Sequence, residues 1–314
     1  MYYLGIDLGG INVAAAVVDE EGRILGRHSR PTPHETAERV AEEMANAALS
    51  AVEDAGLTLG QIASLGIGSP GAIDPTAGQV LYWCNLDFDH VPLGRLLEDK
   101  LHLPVYLEND ANAAALGEYA AGAGRGSASM VAITLGTGIG GGAVLDGKLY
   151  TGFNYAGMEV GHFVLEYNGR PCNCGRRGCF EAYCSATALI RQTRAAMEGH
   201  PDSLLWRAGS LEAVEGRTVF AALALGDPAA RAVVEEYQQY LACGIASLIN
   251  IFQPEVFCVG GGVANAGETL LAPVRDLVAQ EDYARNNPHQ TRIVRASLGN
   301  DAGLIGAALL PQFR

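Results

Sequence analysis

Several function classes require features that this sequence lacks. No run of lysine and arginine breaks a chain whose formal net charge is −14 over 314 residues, so no phosphate-neutralising nucleic-acid surface is expected. No uninterrupted apolar stretch approaches the ~20 residues that a membrane span needs. Met1-Tyr2-Tyr3 leads into a strand and a glycine turn, not into a secretory signal. The G-x-x-x-x-G-K-[ST] pattern of a P-loop is missing. Charged residues make up only 18% of the chain and apolar residues 49%, which fits neither a disordered nor a fibrous protein. The seven cysteines are odd in number and mostly bunched, unlike a secreted disulfide framework. The expectation is a cytoplasmic protein with no nucleic-acid or membrane partner, long enough for two domains.

Glycine, by contrast, is abundant: 40 residues against a usual share of ~7%. The glycines cluster in a few loops, as when backbone must approach a ligand closely. Between the loops, strands are expected at 2–6, 13–18, 23–28, 62–67, 104–107, 129–135, 140–145, 255–259 and 291–295. Helical spacing marks 34–56, 92–101, a helix starting at Asn109 or Asp110, 185–198, 218–225, 228–251, 267–280 and 302–309. This mixture is α/β. The stretch "IDLGGINVAAAVVD" (6–19) aligns without a gap on "ITLGTGIGGGAVLD" (133–146), Asp7 on Thr134 and Asp19 on Asp146. Two such strand–glycine turn–strand units predict two related domains.

"GTGIGG" (136–141) matches the dinucleotide expression, but strand residues follow it where the fingerprint needs a helix. A glycine hairpin still presents successive N–H groups that can wrap a phosphate. Asp7, ending a strand beside the first hairpin, either holds a hydrated Mg²⁺ near such phosphates or caps its own turn. A third loop, "CVGGGVANAG" (258–267), ends a strand and offers a seat for a nucleoside. In the segment 162–184, Cys172, Cys174 and Cys179 have C-x-C-x₄-C spacing and His162 lies ten residues upstream. Three thiolates and an imidazole complete a closed tetrahedral Zn²⁺ site, which is structural because no position stays open. Cys184 falls outside that spacing, and Cys84, Cys243 and Cys258 read as core residues.

In order, "GIDLGGINVAAAVVD", "GIGSPGAID", "LENDANAAALGE", "TLGTGIGGG", "GMEVGH", "CNCGRRGCFEAY" and "VGGG" resemble the ROK family of sugar kinases and repressors, in the actin-like ATPase superfamily, over essentially the whole chain. The resemblance implies two ribonuclease-H-like domains flanking a central cleft, with ATP and a hexose between them. The domains would comprise 1–109 plus 299–314, and 110–298. It implies Asp7, Gly9, Gly10 and Asn12 as the first phosphate loop with its Mg²⁺ carboxylate. Gly136, Thr137 and Gly138 would form the second loop, and Gly261 and Gly262 would lie by the adenosine. Asn109, Asp110, Glu159, His162 and Glu181 would contact the sugar, joined by Gly71 and Asn85. Two positions depart from the family pattern. Ile11 stands where threonine is usual, and Met158 where glycine often precedes the glutamate.

Phosphoryl transfer needs positioning, charge neutralisation and a base for the hydroxyl proton. Asp110, at a strand end and helix start, is a simple N-cap or that base; the resemblance implies the base. The helix dipole is expected to favour its ionised form. The implied activity is an ATP-dependent hexose kinase, a glucokinase acting on the 6-hydroxyl. Fructose, mannose, allose, N-acetylglucosamine and N-acetylmannosamine are alternative acceptors. A sugar-sensing repressor would carry a helix-turn-helix ahead of the first phosphate loop, which here begins at residue 7. Family relatives imply a dimer or tetramer.

Overall fold

The computed structural model describes residues 1–83 and 88–313. Strand β1 (Tyr2–Leu8) is buried along most of its length. It pairs antiparallel with β2 (Asn12–Asp19), from Tyr2 opposite Asp19 to Leu8 opposite Val13, and β2 pairs antiparallel with β3 (Ile24–Pro31). Thr36 caps helix α1 (Ala37–Asp54) by accepting from Arg39 N. The helix buries Val40, Met44, Ala47, Ala48 and Ala51, the stripe that its 3.6-residue period placed on one face.

Strand β4 (Ile62–Ser69) lies parallel to β1. Three short strands follow, β5 (Ala72–Asp74), β6 (Gln79–Trp83) and β7 (Phe88–Val91), forming an antiparallel meander where the sequence reading expected no strand. Helix α2 (Leu93–Leu101) leads to β8 (Val105–Asn109), parallel to β4, and β8 runs straight into α3 (Asp110–Ala121). The sheet order is β3-β2-β1-β4-β8.

The second half repeats that order. Strands β9 (Met130–Leu135), β10 (Ile139–Leu145), β11 (Lys148–Tyr150), β12 (Val256–Gly260) and β13 (Arg292–Arg295) form a sheet in the order β11-β10-β9-β12-β13. The sequence echo therefore corresponds to a repeated sheet: β1–β2 and β9–β10 are equivalent hairpins. The connection from β11 to β12 holds α4 (Glu181–Cys184), α5 (Ala186–Gly199), α6 (Thr218–Ala224) and α7 (Pro228–Phe252). Asp227 caps α7 by accepting from Ala230 N at 2.7 Å, with Pro228 in the first turn where no N–H is needed. Helix α7 buries Val233, Tyr237, Leu241, Ile245 and Ile249. Helices α8 (Glu268–Glu281) and α9 (Ala302–Leu309) flank β13 in the chain.

Contacts divide the chain into two compact units. One comprises Met1–Val131, Gly142–Met158 and Ser297–Arg314, the other Ala132–Gly141 and Glu159–Ala296. The sequence reading divided the chain at 109/110, which would separate α3 from β8. In the structure α3 belongs to the first unit, because α9 packs against both it and the sheet. Two glycines allow that approach. A Cβ on Gly66 would stand 1.7 Å from Ala307 O, and one on Gly306 would stand 1.7 Å from Ala113 O. The Glu118 carboxylate secures the returning chain by accepting from Ser297 N at 2.9 Å and Leu298 N at 2.7 Å. Together these contacts hold α3 and α9 against each other and α9 against the first sheet.

Candidate active site and metal centre

In the first unit, the β8–α3 junction gathers polar groups. Asn109 is the N-cap: its Oδ1 accepts from Ala111 N at 2.9 Å and Asn112 N at 3.2 Å. Its Nδ2 donates to Gly71 O at 3.5 Å. Gly71 has φ +93°, and a Cβ there would lie 2.2 Å from Tyr82 O, so this turn accepts only glycine. Buried Glu108 supports the cap, its Oε1 accepting from Asn109 N and from Asn112 Nδ2, each at 3.0 Å. Because Asn109 does the capping, Asp110 is the first helical residue, with Oδ1 accepting from Ala111 N at 2.8 Å. Asn85 lies outside the described residues.

Burial raises the Asp110 carboxyl above its ordinary range, against the opposing pull of hydrogen bonds from Ala111, its own N–H and Asn109. This corrects the dipole expectation: desolvation outweighs the helix terminus. Asp7 is pushed up to about 6, first by burial and then by the Asp110 charge. The structure thus brings the two carboxylates that the sequence singled out into one electrostatic field. A shared excess of negative charge of this kind is relieved by a bound cation.

The first glycine turn closes through Gly9 N, which donates to Asn12 O at 3.0 Å. Thr32, just beyond β3, holds it twice: its N–H donates to Ile11 O at 2.8 Å and its hydroxyl to Gly9 O at 2.7 Å. Sequence reasoning missed Thr32, which stands between two prolines and belongs to no motif. Ile11 is 79% exposed on this turn and brings no hydroxyl to it.

In the second unit, Gly136 N donates to Gly138 O at 3.0 Å, closing the other turn. Gly261 (φ +85°) abuts the strand that feeds this turn, since a Cβ on it would lie 2.5 Å from both Leu135 N and O. Gly262 faces open space. The residues expected to hold a nucleotide from this unit therefore meet at one end of β9 and β12.

Donor atoms of His162, Cys172, Cys174 and Cys179 all lie within 4.8 Å of one another. Cys174 Sγ and Cys179 Sγ are 3.7 Å apart, as are Cys172 Sγ and His162 Nδ1. Such separations suit vertices of a tetrahedron whose centre is ~2.3 Å from each sulfur. The thiols respond to their surroundings in opposite senses. Burial pushes Cys172 up and Cys179 up to about 12, whereas the Arg176 backbone N–H lowers Cys174. Three adjacent thiolates are tolerable when a cation sits among them, so the donor set fits Zn²⁺. Cys184 and Cys258 are buried and Cys243 is half-buried; Cys84 lies outside the described residues.

The carboxylates flanking the cluster are placed by its frame. His162 N donates to Glu159 O at 3.0 Å, and the exposed Glu159 is free to accept from a hydroxyl. Met158 before it has φ +66°, the conformation that glycine adopts without cost. Glu181 opens α4, with Oε1 at 3.8 Å from Cys172 Sγ. Arg176, to which the sequence gave no role, donates to His162 O at 3.1 Å.

The ROK family profile matches residues 3–313. The chain is similar to the glucokinase of Thermotoga maritima, 41% identical over 97% of this chain and 95% of that one. It is also similar to the N-acetylmannosamine kinase of Citrobacter koseri, 38% identical over 99% of each. Among solved structures, a ROK family glucokinase from Streptomyces griseus in complex with glucose and AMPPNP superposes with a TM-score of 0.82, at 39% identity and 99% coverage of both chains. A match this complete, joined to the repeated sheet and the His-Cys₃ cluster, decides the family: the chain belongs to the ROK family.

Proposed function

We propose that the protein is an ATP-dependent glucokinase, transferring the γ-phosphoryl group of ATP to the 6-hydroxyl of glucose. The observation that carries the reading is Asp110, released from capping by Asn109 and made more basic than a surface aspartate by burial. In the proposed step the sugar hydroxyl gives its proton to Asp110 as its oxygen bonds to the γ-phosphorus. The β,γ-bridging oxygen leaves with ADP. A base of raised pKa, closer to working pH, accepts that proton more readily.

The remaining roles follow the chemistry of each group. Asn109, Glu159, His162 and Glu181 take sugar hydroxyls, where a carboxylate accepts strongly and an amide both donates and accepts. Gly71 lends its turn to the Asn109 side chain. Gly9, Gly10 and Asn12, and likewise Gly136, Thr137 and Gly138, offer backbone N–H groups to phosphates, while Gly261 and Gly262 border the nucleoside. Asp7 would hold Mg²⁺, which supplies charge neutralisation at the phosphates when bound. His162, Cys172, Cys174 and Cys179 would hold Zn²⁺, which supplies a fixed crosslink with no open position.

The relative from Citrobacter koseri supports a second acceptor, N-acetylmannosamine. The acidic chain supports a partner set without nucleic acid. No helix among the described residues is long and apolar enough to cross a membrane, and we place the enzyme in the cytoplasm as a dimer or tetramer. ADP release over a panel of hexoses, N-acetylmannosamine and N-acetylglucosamine tests the reading. Turnover greatest on glucose is expected; no turnover on any sugar overturns it.

A further inference from the structure

The second glycine turn is not held by its own sheet. Every side-chain and loop anchor recorded for it among the described residues comes from one short segment, 181–187. Glu181 Oε2 accepts from Ile139 N at 2.9 Å. Ala186 N donates to Gly136 O at 2.8 Å. The Thr187 hydroxyl donates to Thr137 O at 2.8 Å. Contact is close enough that a Cβ on Gly138 would fall 2.3 Å from Glu181 Oε2. Any larger residue at 138 would have to displace the Glu181 carboxylate from its bond to Ile139 N.

The same segment begins two residues after the buried Cys179, and the other Glu181 oxygen lies 3.8 Å from Cys172 Sγ. One carboxylate thus spans two places: Oε2 is on the backbone of the phosphate turn, and Oε1 is by the metal cluster. We propose that residues 181–187 form a strut joining the sugar-side carboxylate to the second phosphate turn, with Glu181 and Thr187 acting as positioning residues for the phosphoryl donor. This deepens the kinase reading and rests on it. The physical reason is the flexibility of the turn. Glycine-rich backbone loses more freedom on ordering than any other. An unanchored Gly136–Gly138 turn would bear that loss when phosphate binds, raising the dissociation constant. The strut bears it in advance. The sugar, drawing on Oε1, and the nucleotide, seated on the turn that Oε2 holds, would each favour the other's binding.

The test is calorimetric titration of zinc-loaded enzyme with AMPPNP and, separately, with glucose, for wild type, Thr187→Val, Glu181→Ala and Glu181→Gln. Thr187 is exposed and Val keeps its shape, so only the bond to Thr137 O is lost. Thr187→Val is expected to weaken AMPPNP binding by about fivefold, and Glu181→Ala by about tenfold or more, the usual scale for a neutral and a charged hydrogen bond. Glu181→Gln, which can still accept from Ile139 N, should recover most of the AMPPNP affinity while glucose affinity stays low in both variants. That split separates a strut from a residue that serves the sugar or the fold alone. AMPPNP affinity within twofold of wild type in both Thr187→Val and Glu181→Ala overturns the strut and leaves the kinase reading standing. Wild-type enzyme that binds neither ligand overturns the kinase reading itself. Should Glu181→Ala fail to fold, Thr187→Val decides alone.

Discussion

The two glycine hairpins share a sequence pattern and a place in equivalent sheets, yet they are braced in different ways. In the first sheet, β3 runs alongside β2 as far as the turn, pairing Pro31 with Asn12. The next residue, Thr32, reaches the loop with both its N–H and its hydroxyl. In the second sheet the corresponding strand, β11, has only three residues and stops at the Ala143–Tyr150 pair, short of Ile139. The turn at Gly136–Gly138 cannot be braced from that edge. Its support comes from 181–187, the segment that leaves the cysteine cluster. One glycine turn is thus an ordinary sheet feature, and the other is tied by three hydrogen bonds to the segment that begins with Glu181. A repeated fold has diverged in what its third strand does, and in the shorter copy the proposed strut takes that strand's place.

The largest effect should come from the chemistry of the first unit. Replacing Asp110 with Asn removes the proposed proton acceptor but keeps the shape of the junction, since Asn109 continues to cap α3. A fall in kcat of about 10²–10⁴-fold is expected, with KM for either substrate changed little. Steady-state kinetics on the hexose with greatest turnover measures it. A variant as fast as wild type would remove Asp110 from the mechanism.

Next in size is the effect of the metal, which acts through the second unit. Chelation of zinc, or Cys179→Ser, should free the 162–181 segment and with it Glu159, His162 and Glu181. Hexose binding should then disappear from a calorimetric titration. AMPPNP binding should survive with about a tenfold loss, because Thr187 and the Ala186 N–H still hold the turn. Full glucose affinity in a sample shown to be metal-free would break the link between cluster and sugar.

Much of this comparison was legible in the sequence, and the rest was hidden for definite reasons. The echo between 6–19 and 133–146 gave both hairpins and foretold the repeated sheet. The C-x-C-x₄-C spacing with His162 gave the four donors that the fold brings within 4.8 Å. The meander β5–β6–β7 was not legible, because strands of three to five residues among Gly, Pro and Asp leave too little alternation to read. Nor was the placement of α3, which depends on Gly66 admitting the backbone of Ala307 and Gly306 admitting that of Ala113, pairs far apart in the chain. Thr32 and Thr187 escaped for the same reason: they act through long-range bonds to backbone carbonyls, two from Thr32 and one from the Thr187 side chain, and no local pattern announces such bonds. The direction of the Asp110 shift was misread because the dipole is visible in a helix start whereas burial is not.

Asp7 offers a test through pH. Its folded pKa of about 6 stands above its ordinary 3.8, so between these values the folded chain holds a proton that the unfolded chain has released. Stability from this group is therefore lost as pH rises through the window, by up to about 3 kcal/mol at neutral pH without Mg²⁺. Asp7→Asn abolishes that loss. Urea unfolding in EDTA-treated, zinc-reloaded buffer should find the variant more stable than wild type at pH 7.5, with the gap closing toward pH 4. Added Mg²⁺ should stabilise wild type and not the variant. A gap independent of pH would mean that burial and the Asp110 charge do not raise the Asp7 carboxyl.

The smallest expected effect bears most directly on the difference between the hairpins. Thr32→Val deletes the hydroxyl donor to Gly9 O but leaves the Thr32 N–H bond to Ile11 O to whatever residue stands there, so the turn remains closed by one anchor. The lost neutral bond is worth about 1 kcal/mol, or about fivefold in AMPPNP affinity. Here, unlike Thr187→Val, the site is buried, and the orphaned Gly9 carbonyl should also lower the unfolding midpoint. Glucose affinity is where the two variants should part. Thr32 bonds to Gly9 O and Ile11 O and to none of the proposed sugar ligands, so Thr32→Val should leave glucose binding unchanged both with and without AMPPNP present beyond the simple loss of nucleotide. Thr187→Val should reduce the extent to which AMPPNP tightens glucose binding, because its bond is in the strut. If both variants diminish that mutual tightening equally, the two turns act as one clamp and the divergence in bracing has no functional consequence.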